Sequence, residues 1–385
     1  APLAPTGATA AVVDVAESAA AAVVGSPKRY SGSMWCLAGL PWLLLLLPLA
    51  EAEDPASVFR GEVEVRRIVT EVRVLDWSNT PVLGLTREDF SVELGGVPAE
   101  VESVEWIRTA PPELAADAMQ RADPDQALPA TRQNRGRLIV ILVQTDLESV
   151  RLTGLYRTAD YAVELIQRLG PDDRVALAVY SSHLDLISDF TGDFDAITRV
   201  LNVPDLLEHR PEVIPAADVS LARHFDHAAA ADAARPSDGL RILGEALQPI
   251  PGPKTVIMLG WGLGTNTKHG VVLGGAFHRA VAALTMAETS VFVLDVTDAD
   301  YHSLEAGLKS VAESTGGRYH RTRKHPGVAF NLVLRALQGH YELVLIPDPT
   351  VITNRIHLKV EVDRPRLEVL ARPYLSGEAE SCILD

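Results

Sequence analysis

The sequence predicts an α/β protein, a doubly wound and mainly parallel sheet inserted into or flanked by a small β-sandwich. Three observations carry that prediction. Between residues 137 and 338, short continuous apolar runs such as Leu138 to Val143 and Val175 to Tyr180 alternate with segments of helical period. Both flanks of that region instead alternate apolar and polar residues with period two. Finally, 385 residues with 47% hydrophobic content supply enough apolar surface for one large core and a smaller one.

Charge removes two function classes. A formal net charge of -16 argues against non-specific binding to nucleic acid or to an anionic membrane, since both require a basic face. Aromatics at 5% weigh mildly against stacking surfaces for bases or sugars.

Residues 1–52 read as a signal peptide with an upstream extension. Lys28 and Arg29 precede the apolar run from Trp35 to Leu49, with Leu43 to Leu47 at its centre, and Ala50 and Ala52 give an A-x-A-like cleavage site. The run carries Pro41 and, at roughly 15 residues, is short for a span of about 20. The expectation is export to the periplasm or the exterior, with no stable membrane span after cleavage near Glu53. The sequence opens on Ala1, so Met34 is an alternative start that would remove Lys28 and Arg29 from the signal. Cys36 lies in the signal and Cys382 near the end, which leaves the exported chain one cysteine and no internal disulfide.

Residues 53–108 form an N-terminal strand segment: Val63 to Val65, Val69 to Leu75, Phe90 to Leu94 and Val101 to Ile107. Ser78-Asn79-Thr80-Pro81 and Gly95-Gly96 supply the turns. Residues 109–136, with Pro111, Pro112, Pro124 and Pro129, read as a linker. In the α/β region, 137–338, the helix marked by Leu155, Ala159, Ala162, Val163, Ile166 and Leu169 stops at Gly170-Pro171. Leu184 to Ile187 is a short further strand, and Asp193 is positioned to cap the next helix. Residues 203–236 read as irregular. Helices are expected at 238–248, 273–288, 302–314 and 328–338, and strands at Thr255 to Leu259 and Val291 to Leu294. Residues 339–375 return to alternation, in Tyr341 to Leu345, Ile356 to Val362 and Leu367 to Leu370, and 376–385 form a tail. Neither flank buries its apolar face alone, so 58–108 and 341–374 are expected to share one sandwich.

Three local motifs carry a resemblance: Pro81-Val82-Leu83-Gly84-Leu85-Thr86-Arg87-Glu88-Asp89-Phe90, Leu169-Gly170-Pro171-Asp172-Asp173-Arg174-Val175-Ala176, and Ala312-Glu313-Ser314-Thr315-Gly316-Gly317. With their spacing, over roughly residues 58–375, the chain resembles the bacterial proteins related to the von Willebrand factor type A domain. In that family a metal-ion-dependent adhesion site takes oxygen donors from a D-x-S-x-S at the end of the first strand, a Thr on a later loop and the Asp of an S-D-G turn. Such a set suits Mg²⁺, a hard cation that prefers octahedral oxygen. The resemblance places Gln144 at the lead Asp, Asp146 and Glu148 at the two Ser positions, Ser237 at the Thr and Gly260-Trp261-Gly262 at the S-D-G turn. It therefore implies a degenerate site with no metal, no cofactor and no catalysis, with Trp261 covering the vacated position, in a module that binds another protein. Asp146, Glu148, Ser237 and Asp238 leave open a rearranged metal-dependent adhesion or enzymatic site that includes the 260–264 loop.

Other constellations weigh less. Gly260-Trp261-Gly262-Leu263-Gly264 follows a strand as a dinucleotide fingerprint should, with Asp295 ending the next strand. However, Thr265 stands where the third glycine belongs, and Gly262 stands where a nucleophile elbow needs its Ser. His224 and His227, three apart, would share a helix face and with His209 and Asp226 suggest Zn²⁺, against the plainer reading of surface histidines. Arg318 to Lys324 interleaves cations with Tyr319 and His320, either to meet an acidic partner or as a solvated edge strand.

Overall fold

The computed structural model describes residues 66–109, 131–133, 136–145, 149–201, 218–351, 355–376 and 380–381. The expected signal, the Val63 to Val65 strand, most of the linker, Asp146, Glu148, His209 and Cys382 lie outside the described residues. The chain opens with β1 (Arg66–Leu75), β2 (Phe90–Leu94), β3 (Val97–Pro98), β4 (Glu100–Arg108) and β5 (Thr131–Gln133). The turn after β1 is built by Asp76, whose Oδ1 accepts from the backbone N of Ser78 at 2.8 Å and of Thr80 at 2.9 Å. Gly95 and Gly96 take φ of +61° and +83°, the left-handed pair that a tight β2–β3 hairpin requires. Within the segment read as a linker, residues 131–133 form β5, which pairs in parallel with β4.

The central sheet contains β6 (Leu138–Gln144), β7 (Arg174–Tyr180), β8 (Leu184–Thr191), β9 (Lys254–Gly260), β12 (Thr289–Asp295) and β13 (Tyr319–Arg321); β10 (Thr265–Thr267) and β11 (Gly270–Val272) form a separate hairpin. Its order is β13-β12-β9-β6-β7-β8, parallel throughout except for the β7–β8 pair. Helices α1 (Ser149–Gln167), α2 (Phe194–Val200), α3 (His227–Ala231), α4 (Pro236–Leu247), α5 (Gly275–Met286), α6 (Glu305–Ser314) and α7 (Pro326–Ala336) complete the region. Each apolar strand run splits by period two between two cores. Val140, Leu142, Val256 and Met258 meet α4, α5 and α6. Ile139, Ile141, Ile257 and Leu259 meet α1, α2 and α7. The doubly wound, mainly parallel arrangement is as the sequence predicts.

The local signals have physical counterparts. Asp193 caps α2 by accepting from the Ala196 N–H at 2.9 Å. Gly316 ends α6 at φ +71°, and Gly317 passes so close to β12 that a Cβ would stand 2.0 Å from the Val291 carbonyl oxygen. The element ends differ from expectation by up to four residues, most at β8, which runs to Thr191 where Ile187 was expected, and next at α6, which begins at Glu305 where 302 was expected. Residues 222–224 form a 3₁₀ turn and 227–231 form α3, inside the segment read as irregular. This removes the shared helix face proposed for His224 and His227. The first closes the 3₁₀ turn, the second opens α3, and Asp226 between them is spent as the α3 cap.

The last strands are β14 (Gly339–Ile346), β15 (Arg355–Val362), β16 (Glu368–Ala371), β17 (Tyr374–Ser376) and β18 (Glu380–Ser381). Strands from the two flanks interleave in both sheets of a sandwich, one ordered β16-β1-β14-β4-β5 with β18 on β1, the other β17-β15-β2-β3. Between them Tyr341 is fully buried, with its ring edge-on to Phe90 and Trp106 at 5.5 and 5.0 Å and its hydroxyl donating to the Val82 carbonyl at 2.8 Å. The outer face of β1 reaches the amino end of β12, where Arg73 Nη1 donates to Ser290 Oγ at 3.3 Å. Arg73 also pairs with Glu71, and His340 Nδ1 lies 3.7 Å from Glu71 Oε1. The sandwich therefore occupies the amino ends of the parallel strands and leaves their carboxyl ends uncovered by it.

Candidate functional site

From β6 the chain winds to β7 and β8 on one side, then returns to β9 on the other. The strand order thus reverses between β6 and β9, and in open α/β sheets the crevice at the carboxyl ends of such a pair is where ligands bind. Here Gln144 fills it. Gln144 is 0% exposed at the last position of β6. Its Oε1 accepts from the backbone N–H of Trp261 at 3.0 Å and of Gly262 at 3.4 Å, and its Nε2 donates to the Gly262 carbonyl at 3.3 Å. One neutral amide therefore ties the two strand ends together and uses its carbonyl oxygen on backbone donors.

The glycines around it answer to packing. A Cβ at Gly260 would stand 2.7 Å from Met258 Cε and 3.2 Å from Gln144 Oε1, and one at Gly262 would stand 2.7 Å from Leu304 Cβ. This explains why the pentapeptide looks like a phosphate-binding loop without being arranged as one. Trp261 is half-buried against the α1 and α7 core, and the Arg151 guanidinium lies 3.8 Å from its ring centre. Of the remaining candidates, Ser237 is buried in the first turn of α4. Gly239, one position past Asp238, packs on Tyr180 at the end of β7. The Gln144 amide is directed at the 261–262 backbone on the opposite side, so the bonds it makes do not gather Ser237 into the crevice.

A second set of polar side chains lies at the neighbouring strand end; sequence reasoning noted Asp295 and, within the basic stretch, Tyr319 and Arg321, but missed His302 and Glu305 and did not bring the set together. Asp295 closes β12 at 2% exposure. Its Oδ2 accepts from Tyr319 Oη at 2.6 Å and lies 2.7 Å from His302 Nε2, and its Oδ1 accepts from the Thr297 N–H at 2.9 Å. Glu305, 3% exposed in the first turn of α6, takes Arg321 on both oxygens at 2.8 and 2.9 Å and Lys309 Nζ at 2.6 Å. Burial pushes the Glu305 carboxyl up, but the bonds from Arg321 and Lys309 outweigh it and hold the group below the ordinary range. Burial and the Asp295 carboxylate push Tyr319 far above its ordinary value, so it stays a hydroxyl donor.

Asp295, His302 and Glu305 offer ligand atoms within 4.8 Å of one another, the right donor types for a divalent ion. The two cations on Glu305 are the physical objection. An ion would have to displace a bidentate guanidinium and an ammonium before it gained that carboxylate. As arranged, the group is a network of hydrogen bonds and ion pairs joining β12, α6 and β13, with His302 Nδ1 buried outside it. No motif spacing announces residues 295, 302, 305, 319 and 321. The available signals were an acidic residue ending a buried strand and the basic stretch that holds Tyr319 and Arg321.

The basic stretch after Gly317 is also less solvated than expected. Arg318 pairs with Glu368 at 2.7 Å, Arg321 with Glu305, and Arg323 with Asp300, while His320 is buried. Among the described residues no helix is long and apolar enough to cross a membrane.

No protein-family model and no curated protein matches the chain. Among solved structures it is similar to a von Willebrand factor type A protein from Catenulispora acidiphila, at 9% identity and TM-score 0.37 over 82% of this chain and 75% of that one. It is similar to BatB from Bacteroides thetaiotaomicron at 15% identity and TM-score 0.35, over 52% of this chain and 97% of that one. It is also similar to a single-site mutant of the PilB minor pilin from Streptococcus sanguinis, at 13% identity and TM-score 0.36, over 57% of this chain and 64% of the pilin's length.

Proposed function

We propose that the chain is an exported, non-catalytic module that binds another protein through a von Willebrand factor type A-like domain whose switch point holds no Mg²⁺. The observation that supports this reading is Gln144. A lead ligand to Mg²⁺ should be an anionic oxygen turned into the crevice, whereas the Gln144 carbonyl is neutral and already accepts from Trp261 and Gly262. Trp261 adds an indole that cannot ligate. The apolar run ahead of Ala50-Glu51-Ala52 supports export, so N-terminal sequencing of the exported form should start near Glu53, and an intact N-terminus retained in the cytosol would remove that part of the reading.

The test of the site is thermal. The protein should melt at the same temperature in millimolar Mg²⁺ as in EDTA. A ligand present at 100 times its Kd would add roughly 2.7 kcal/mol, a shift of several degrees. Such a shift, abolished by Asp146→Ala or Glu148→Ala, would replace this reading with a rearranged metal-dependent adhesion or enzymatic site.

A further inference from the structure

The carboxyl end of β13 and the first turn of α7 enclose a cavity of about 250 Å³ that the switch point does not share. Its apolar wall is Val328, Ala329 and Leu332 of α7. Its polar wall includes His320, Arg323, Lys324 and Asp300.

His320 is the telling member. It is 9% exposed, and its Nε2 is buried without a hydrogen-bond partner. Leaving such a nitrogen unbonded costs on the order of 1–3 kcal/mol, so one with a cavity beside it is suited to a ligand. Burial first, then the nearby Arg318 charge, push its pKa down to about 4, so at neutral pH the imidazole is uncharged, and an anion beside Nε2 would select the tautomer that carries its hydrogen there. The second feature is α7 itself, whose eleven-residue helix starts at His325 with no side chain capping the first turn and with Pro326 at its first position. The third is charge. In a chain of net charge -16, three cations and one carboxylate line this cavity. Arg321 is committed to Glu305 and Arg323 is shared between Asp298 and Asp300, whereas the Lys324 side chain is 69% exposed and meets Asp300 only at the long distance of 4.0 Å.

These features ask for an anion attached to something small and apolar. A cavity this size is below the range of drug-sized pockets, about 300–1,000 Å³, and suits a single residue. A chain terminus supplies both parts in one residue, a side chain for the Val328 wall and a carboxylate for the donors. We propose that this cleft receives the C-terminal residue of a protein partner, its apolar side chain against Val328, Ala329 and Leu332 and its free carboxylate accepting from His320 Nε2 and Lys324 Nζ. The proposal rests on reading the chain as an interaction module, and it names the surface and the chemistry of the partner.

N-acetyl-leucine is a sufficient probe, titrated into the full ¹⁵N-labelled chain at neutral pH with the His320 imidazole nitrogens as the readout. A saturable shift is expected, at least tenfold weaker in affinity for N-acetyl-leucinamide, which lacks the charge, and for acetate, which lacks the side chain. Lys324→Glu and Val328→Glu alter exposed positions and should each weaken binding by about tenfold with the melting temperature unchanged. Absence of a saturable shift overturns the proposal. Equal binding of acetate reduces the cleft to a bare anion site, and equal binding of the amide reduces it to an apolar dent; both also overturn it. None of these outcomes touches the Mg²⁺ comparison, which tests the switch point separately.

Discussion

At the amino end of the central sheet, Arg137, Asp173, Glu71 and Arg73 are each less than a tenth exposed and are paired with one another. At the carboxyl end, the β6–β9 crevice holds a neutral amide, and charge is displaced one strand over, to Asp295, Glu305 and Arg321. At the amino end the Arg137–Asp173 pair joins the start of β6 to the α1–β7 turn, and Arg73, held by Glu71 on the same strand, reaches Ser290 of β12 through a hydrogen bond. The carboxyl end keeps its charges beside an open cavity. Buried ionic joints are costly to break and contribute little if replaced whole, so they are better evidence of fixed orientation than of stability. The proposed cleft lies on the β12–β13 side of the sheet, away from the switch point that the Gln144 amide occupies.

The largest effect should come from breaking an amino-end joint. Asp173 accepts from the Arg137 backbone N–H at 2.7 Å, the Gly170 N–H at 2.6 Å and the Arg137 guanidinium. Asp173→Ala leaves that guanidinium buried and uncompensated, and a loss of about 3–5 kcal/mol is expected in chemical denaturation. The exposed Lys359–Glu93 pair is the control, and Lys359→Ala should leave the denaturation midpoint nearly unchanged. Similar costs for the two would erase the distinction between joints and surface pairs.

Acid should open the molecule through its histidines before its carboxylates. The folded pKa of His320 is depressed to about 4, so as pH falls below about 6.5 the unfolded chain takes up a proton that the folded chain refuses. The stability is complete above about 6.5 and is lost progressively down to about 4, to the extent of about 3 kcal/mol. Burial likewise holds His340 down, in the same direction. For Glu71, burial pushes up but Arg73, His340 and Arg372 pull down further, so its contribution is lost only below the ordinary carboxylate range. Urea titrations from pH 7 to 4.5 should show a slope that His320→Gln reduces. An unchanged slope would mean that His320 gains a proton as readily folded as unfolded.

A smaller effect separates the two carboxyl-end sites. Gln144→Ala leaves the Trp261 and Gly262 N–H groups without their acceptor in a buried place, and should cost about 1–3 kcal/mol. It should not alter binding of N-acetyl-leucine to the β13–α7 cleft. A loss of that binding would show that the two strand ends act as one site.

How much of this was legible follows from range. The parallel core was readable because strands buried on both faces must be continuously apolar, as in Leu138 to Val143. Asp193, Gly95-Gly96 and Thr315-Gly316-Gly317 were readable because caps and turns act within a few residues. The polar contacts were not, because they are long-range. Nothing near Gln144 says that its amide bonds a backbone 117 residues on, and Glu305 and Arg321 look like ordinary surface charges until α6 and β13 are placed side by side. His320 alternates with Tyr319 and Arg321 as in a solvated edge strand, and only the seating of α7 over it turns it inward.

The smallest predicted effect tests the cover of the switch point. The Arg151 guanidinium lies 3.8 Å from the Trp261 ring centre, and its Nη1 is buried without a hydrogen-bond partner, so the face of the indole is what that nitrogen meets. At a half-buried site a cation over an indole contributes about 0.5–1 kcal/mol. A double-mutant cycle with Arg151→Gln and Trp261→Phe, measured by urea denaturation, should return a coupling of that size. The phenyl ring keeps most of the packing against α1 and weakens the quadrupole, so the cycle reads the cation contact rather than lost volume. Because the contact is electrostatic but largely dry, the coupling should survive molar salt, unlike that of an exposed ion pair. A coupling of zero would leave Trp261 as a hydrophobic cover alone. A coupling that vanishes in salt would show that Arg151 spends its time in solvent and that the crevice opens more readily than the static packing implies.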